Sequence, residues 1–131
     1  MIVAVSGGRK FHDGATLWTA LDEIKERDGI TLLILGGAKG ADTSAQRWAE
    51  ARQVPHLVIP APWDRMGKRA GIARNGWMLS PTLIDLPAYE VDLLVYVHGG
   101  RGTADAVQQA RAIGVRTWTP YPELDTWPEA T

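Results

Sequence analysis

The sequence predicts an α/β fold, an open parallel sheet of about five strands with helices on both faces. Three observations carry that expectation. Short apolar runs alternate with segments whose apolar residues recur at helical spacing. The runs Thr31–Leu35 and Val91–Val97 are apolar almost throughout, as in strands covered on both faces. Two runs also end alike, in a glycine-rich turn that opens a helix: Leu35-Gly36-Gly37-Ala38-Lys39-Gly40-Ala41-Asp42 and Val97-His98-Gly99-Gly100-Arg101-Gly102-Thr103-Ala104-Asp105. A weaker third copy closes the first run, Ser6-Gly7-Gly8-Arg9.

In chain order, Ile2–Ser6 reads as a buried strand. Asp13 caps a helix that carries Leu17, Leu21 and Ile24 on one face, and Asp28-Gly29 stops it. Thr31–Leu35 is the second strand. Ala41–Arg52 follows as a helix with Ala41, Ala45, Trp48 and Ala49 on one face. Val54–Ile59, interrupted by Pro55 and closed by Pro60, is a less regular third strand. The charged stretch Ala61–Arg69 reads as a loop, Arg69–Leu79 as a helix ended by Ser80-Pro81, and Thr82–Glu90 as a linker. Val91–Val97 is the fourth strand. Thr103–Ile113 is a helix with Ala104, Val107 and Ala110 in register, stopped by Gly114. Val115–Thr119 is the fifth strand. One domain is expected over 1–119, with an irregular tail over 120–131.

Composition narrows the function classes. The 131 residues carry a net charge of −1, which speaks against a general nucleic-acid binder. No cysteine is present, so disulfides, thiolate metal sites and cysteine nucleophiles are excluded. His12, His56 and His98 lack metal-ligand spacing, so neither a metal nor a cofactor is expected. The first residues are too short and uncharged a stretch for a signal peptide, and no apolar run approaches membrane-spanning length. A cytoplasmic location is expected, with no membrane partner.

The glycine turns carry the chemistry. Glycine lets the backbone turn sharply and approach a bound group, and a helix start offers unpaired N–H donors with partial positive charge. Together they form a seat for an anion, usually phosphate. Right-handed crossovers place every strand-to-helix loop on one rim of the sheet, where ligands of such folds bind. Of the 14 basic residues, eight lie in these rim segments (Arg9, Lys10, Lys39, Arg65, Lys68, Arg69, Arg74 and Arg101), against four acids, Asp13, Asp42, Asp64 and Asp105. A locally positive edge on a nearly neutral chain favours a small anion over a long polyanion. The candidate ligand contacts are therefore Ser6, Gly7, Gly8 and Arg9; Gly36, Gly37, Ala38, Lys39, Gly40, Ala41 and Asp42; Trp63, Arg69, Arg74 and Asn75; and Gly99, Gly100, Arg101, Gly102 and Thr103. Asp42 and Asp105 each sit early in a helix, where an acid is favourable in any case. Trp63 and Trp77 flank the basic loop and either stack on a base or pack; Trp18, Trp48 and Trp118 read as core or packing residues.

Five ordered blocks resemble the SLOG superfamily, most closely its YspA-like branch: Gly7-Gly8-Arg9, Gly36–Asp42, Trp63-Asp64-Arg65, Gly71-Ile72-Ala73-Arg74-Asn75 and Gly99–Asp105. The resemblance spans about residues 3 to 118 and implies a Rossmann-like fold that binds nucleotides or nucleotide-derived ligands. Related Lonely Guy phosphoribohydrolases carry Pro-Gly-Gly-x-Gly-Thr-x-x-Glu and an upstream arginine. Here Gly99–Thr103 matches the phosphate-cradling part and Arg74 the arginine, while His98 replaces the proline and Ala106 the glutamate. Arg74 and the adjacent Asp105 are accordingly the catalytic candidates. Three functions follow in order. The first is a sensor or sequestering protein for a nucleotide-derived small molecule. The second is a nucleotide N-glycosidic hydrolase using Asp105 or Asp42. The third, a distant one, is single-stranded DNA binding, as in the DprA/Smf relatives. The resemblance also implies a homodimer or larger homo-oligomer, paired through the apolar segment Gly76-Trp77-Met78-Leu79.

Overall fold

A computed structural model describes residues 1–80 and 89–125. The linker expected over Thr82–Glu90 and the end of the tail lie almost wholly outside these residues. The described elements are β1 (Ile2–Ser6), α1 (Gly14–Asp28), β2 (Leu32–Leu35), α2 (Ala41–Arg52), β3 (His56–Val58), α3 (Trp63–Met66), a 3-10 turn (Gly67–Arg69), α4 (Ala70–Leu79), β4 (Leu93–Tyr96), α5 (Arg101–Ala112), β5 (Arg116–Trp118) and a 3-10 turn (Pro122–Leu124).

All five strands are parallel, in the order β3-β2-β1-β4-β5. The α/β expectation of an open, Rossmann-like parallel sheet with helices on both faces is what the structure shows. β1 sits in the middle, with Ala4 opposite Ile34 on one side and Leu94 on the other. The chain winds outward through β2 and β3, then crosses to the far side of β1 for β4 and β5. Winding therefore reverses between β1 and β4, and a crevice opens there beyond the carboxyl ends of the strands.

Strand alternation sorts the core into two layers. Val3, Val5, Leu33, Leu35, Leu93 and Val95 pack with Leu17, Leu21 and Ile24 of α1 and Ala45, Trp48 and Ala49 of α2. Ala4, Ile34, Leu94 and Tyr96 face the opposite way, onto Met78 and Leu79 of α4 and Ala106, Val107 and Ala110 of α5. Small residues on α2 and α5 let those helices lie close to the sheet. The fully buried Trp48 donates its indole N–H to Asp22 at 2.8 Å, and Arg52 grips the same carboxylate at 2.8 and 3.0 Å, tying α1 to α2.

Several local expectations are corrected. The charged stretch 61–69 is not a loop throughout: the Arg65 and Met66 N–H groups both reach the Pro62 carbonyl at 3.0 Å and wind one helical turn. α5 starts two residues before Thr103, because the Gly100 carbonyl already accepts the Ala104 N–H. Trp118, expected as core or packing, is not core: it lies on the outer strand β5 and is partly exposed. The Gly76–Leu79 segment is no open patch: Met78 and Leu79 are buried and Trp77 packs beside them. The described start of the tail is docked, with the Tyr96 hydroxyl donating to the Leu124 carbonyl at 2.7 Å. No helix among the described residues is long and apolar enough to cross a membrane.

Candidate functional site

The three glycine turns meet at the crevice. Gly8 is the knot: its N–H donates to the His98 carbonyl at 2.8 Å, and its carbonyl accepts the Ala41 N–H at 3.3 Å. Gly8, two residues past β1, thus ties the end of β4 to the start of α2. The approach is so close that a Cβ on Gly8 would sit 2.9 Å from the Gly99 Cα. Gly40, at φ +76°, is pressed in turn against the Gly8 and Arg9 backbone, where no side chain fits.

Between the turns lies a cleft of about 610 Å³, in the range of small-molecule sites. Ser6–Arg9, Gly36–Lys39 and Asp42 form its floor and one wall; Gly100, Gly102 and Thr103 form another; Arg74 and Asn75 of α4 close a third. Trp63 stands at the mouth, 48% exposed, with the Arg9 guanidinium 5.8 Å from its ring centroid. Three cations, Arg9, Lys39 and Arg74, face one carboxylate, Asp42. α5 opens onto the cleft with Gly100 at its cap, which offers no side chain to the first amides of the helix. Those amides and the helix dipole favour an anion.

A chain of hydrogen bonds from α4 braces both turns. Arg74 donates through Nη1 to the Gly36 carbonyl at 2.6 Å and through Nε to Asn75 Oδ1 at 3.1 Å. Asn75, itself buried, donates through Nδ2 to the Gly102 carbonyl at 2.9 Å and to Asp105 Oδ2 at 3.1 Å. Gln109 completes the chain, donating to the same Asp105 oxygen at 2.6 Å. A Cβ at Gly36 would run into the Arg74 guanidinium, so this brace requires glycine there.

Asp42 is the unusual group. It is 5% exposed, and Oδ2 accepts the Ala38 N–H at 3.1 Å, while Oδ1 is buried with no partner among the described residues. Burial pushes its pKa up to about 6, against the opposing pull of the Ala38 N–H, the Arg74 charge and the Gly36 N–H. Burial also pulls Arg74 below the ordinary arginine value, which Asp42 partly offsets.

Not every candidate lands in the cleft wall. Gly40 and Ala41 lie behind it as the support for Gly8. Gly99 is covered by Thr103 and Gly8, and Arg69 in the exposed 3-10 turn and Arg101, the exposed first residue of α5, are not part of the wall. Asp105, the catalytic candidate, is held outside the cleft and serves to position Asn75. Trp77 is likewise absent from the wall. Five wall residues were not among the ligand contacts expected from the sequence: Val5, Pro60, Ala61, Gly71 and Met78. Apolar wall residues have no chemical signature, but Pro60 and Ala61 follow β3, and the rule that all such loops share one rim marks them.

The sequence model of the YspA, cpYpsA-related SLOG family matches residues 1–66. The chain is 33% identical over 121 residues to the Gene 61 protein of Mycobacterium phage D29, covering 86% of this chain and 90% of that protein. DNA processing protein A (DprA) from Streptococcus pneumoniae has a similar fold, with a TM-score of 0.71 at 17% sequence identity. The likeness covers 98% of this chain and 53% of DprA, so the chain spans about half the length of that protein.

Proposed function

We propose that this chain, which belongs to the YspA, cpYpsA-related SLOG family, binds a nucleotide or nucleotide-derived small molecule in the crevice between β1 and β4, as a sensor or sequestering protein. The convergence of three glycine turns on one cleft is the observation that carries the reading. Phosphate sits at the open start of α5 against Gly100, Gly102 and Thr103, with Arg9 supplying charge. The sugar side faces Asn75 and the Asp42 oxygen that has no partner among the described residues, and Trp63 offers a ring at the mouth. Denaturing the purified protein and identifying any released nucleotide by mass spectrometry, followed by calorimetric titration with AMP, tests this. No released compound together with no heat of AMP binding at millimolar ligand would refute it.

Hydrolysis of the N-glycosidic bond is the second reading, and Asp42 favours it. A carboxyl with a pKa of about 6 is suited to proton transfer near neutral pH. Asp105 does not serve here, since both of its hydrogen bonds hold structure. Release of adenine from AMP by the wild type, lost in Asp42→Asn, is the result that would promote this reading. A homodimer or larger homo-oligomer belongs to the same proposal, with Ile72 the exposed apolar residue of α4. Light scattering tests it.

A further inference from the structure

Behind the Gly8–Gly100 backbone lies a second chamber of about 460 Å³. It shares Gly8, Arg9 and Gly100 with the main cleft, so the two adjoin along these residues. A Cβ at Gly100 would meet nothing within 4 Å, so the saddle between the two is open beside Gly100.

The second chamber differs in chemistry from the first. Phe11, His12, His98 and Tyr121 bring four rings to it, with Lys10 and Asp13 beside them. Phe11 and Tyr121 meet edge to face with centroids 6.1 Å apart, and His98 and Tyr121 do so at 4.4 Å. Their polar tips are already engaged. The Tyr121 hydroxyl donates to Asp13 Oδ2 at 2.8 Å, and His98 Nε2 lies 3.2 Å from Glu123 Oε1. What such a cage offers a guest is ring surface, which a flat aromatic group matches.

On the reading that the main cleft takes a nucleotide, we infer that the full ligand is two-headed: a nucleotide in the main cleft, its phosphate linker over the Gly8–Gly100 saddle beside Arg9, and a second ring in the Phe11–His98–Tyr121 chamber. The ligand class is a dinucleotide joined through phosphate. A mononucleotide fills only the first chamber.

The test compares AMP with the dinucleotide NAD by calorimetry on the full chain. Wild type is expected to bind NAD about tenfold or more tighter than AMP. His98→Ala, a half-exposed ring that lines only the second chamber, is expected to weaken NAD about fivefold or more and leave AMP unchanged. Phe11→Ala, at a ring that lines the second chamber and not the main cleft, is expected to lower the preference for NAD likewise. Equal affinities in wild type, or a NAD-to-AMP ratio that neither variant moves, would overturn the two-headed ligand and leave the nucleotide reading standing. Binding of neither compound would overturn both.

Discussion

The turn from β2 into α2 and the turn from β4 into α5 are both rich in glycine, yet the fold closes the first and leaves the second open. At the first turn, the Ala41 N–H is taken by the Gly8 carbonyl, the Ala38 N–H by Asp42, and the Gly36 carbonyl by Arg74. Its third glycine, Gly40, is needed because φ is +76° and a backbone crosses directly over it. At the second turn, Gly100 has an ordinary negative φ of −99° and free space above it. The two turns teach that a strand-glycine-helix sequence does not by itself make an anion seat. What neighbouring chain takes up the first amides decides whether the turn supports the site or is the site.

The largest effect separates the two turns directly. Gly40→Ala combines a strained φ with a backbone collision and should cost on the order of 4 kcal/mol of stability. Gly100→Ala should stay within about 0.5 kcal/mol, as exposed substitutions without a clash do. Urea denaturation measures both, and similar losses at the two positions would break the contrast.

Next in size is the pH dependence built into the closed turn. The folded pKa of Asp42 lies above its ordinary 3.8, at about 6, so the folded chain holds this proton more tightly than the unfolded chain. Its contribution to stability is fully present below the ordinary value and is lost as pH rises through about 6. The loss amounts to about 3 kcal/mol, at 1.36 kcal/mol per pKa unit. Asp42→Asn should flatten the stability profile across that window, and a variant whose profile still falls there would show that another group is responsible.

A third pair sharpens the account of the open turn. Arg9→Ala should weaken AMP binding by about 1.5–3 kcal/mol, as the loss of a charge-assisted hydrogen bond does. Arg101→Ala, outside the cleft, should change it by less than about 0.5 kcal/mol. Calorimetry giving the reverse order would move the phosphate seat outward along α5. Smallest of all, Asp105→Asn should cost about 1 kcal/mol of stability through its contacts with Asn75 and Gln109. It should leave any turnover intact, and loss of turnover with unchanged stability would return Asp105 to the catalytic list.

The fold was legible because its signals are local. Asp13 does cap α1, accepting the Thr16 N–H at 3.4 Å, and α2 runs Ala41–Arg52 as its periodicity requires. Gly29 and Gly114 end their helices at φ +76° and +82°. The short helix α3 was hidden because charge reads as loop, whereas one turn needs only two N–H groups reaching a proline carbonyl. At the site, the loops expected to converge, Gly7–Arg9, Gly36–Asp42 and Gly99–Thr103, each lend residues to one cleft, since parallel strands with right-handed crossovers leave all such loops on one rim, although Gly40, Ala41, Gly99 and Arg101 stay out of its wall.

The sequence by itself determined the alternation of elements, the parallel sheet and the common rim of the glycine turns. Each follows from the period of apolar residues or from the backbone freedom of glycine. Only the tertiary structure decided which arginines enter the cleft, that Asp105 holds Asn75 while Asp42 is buried with an oxygen unpartnered among the described residues, and that Phe11, His98 and Tyr121 share one chamber. Those facts depend on contacts between residues as far apart as Asp13 and Tyr121, and on how completely neighbours exclude water. Spacing along the chain encodes neither.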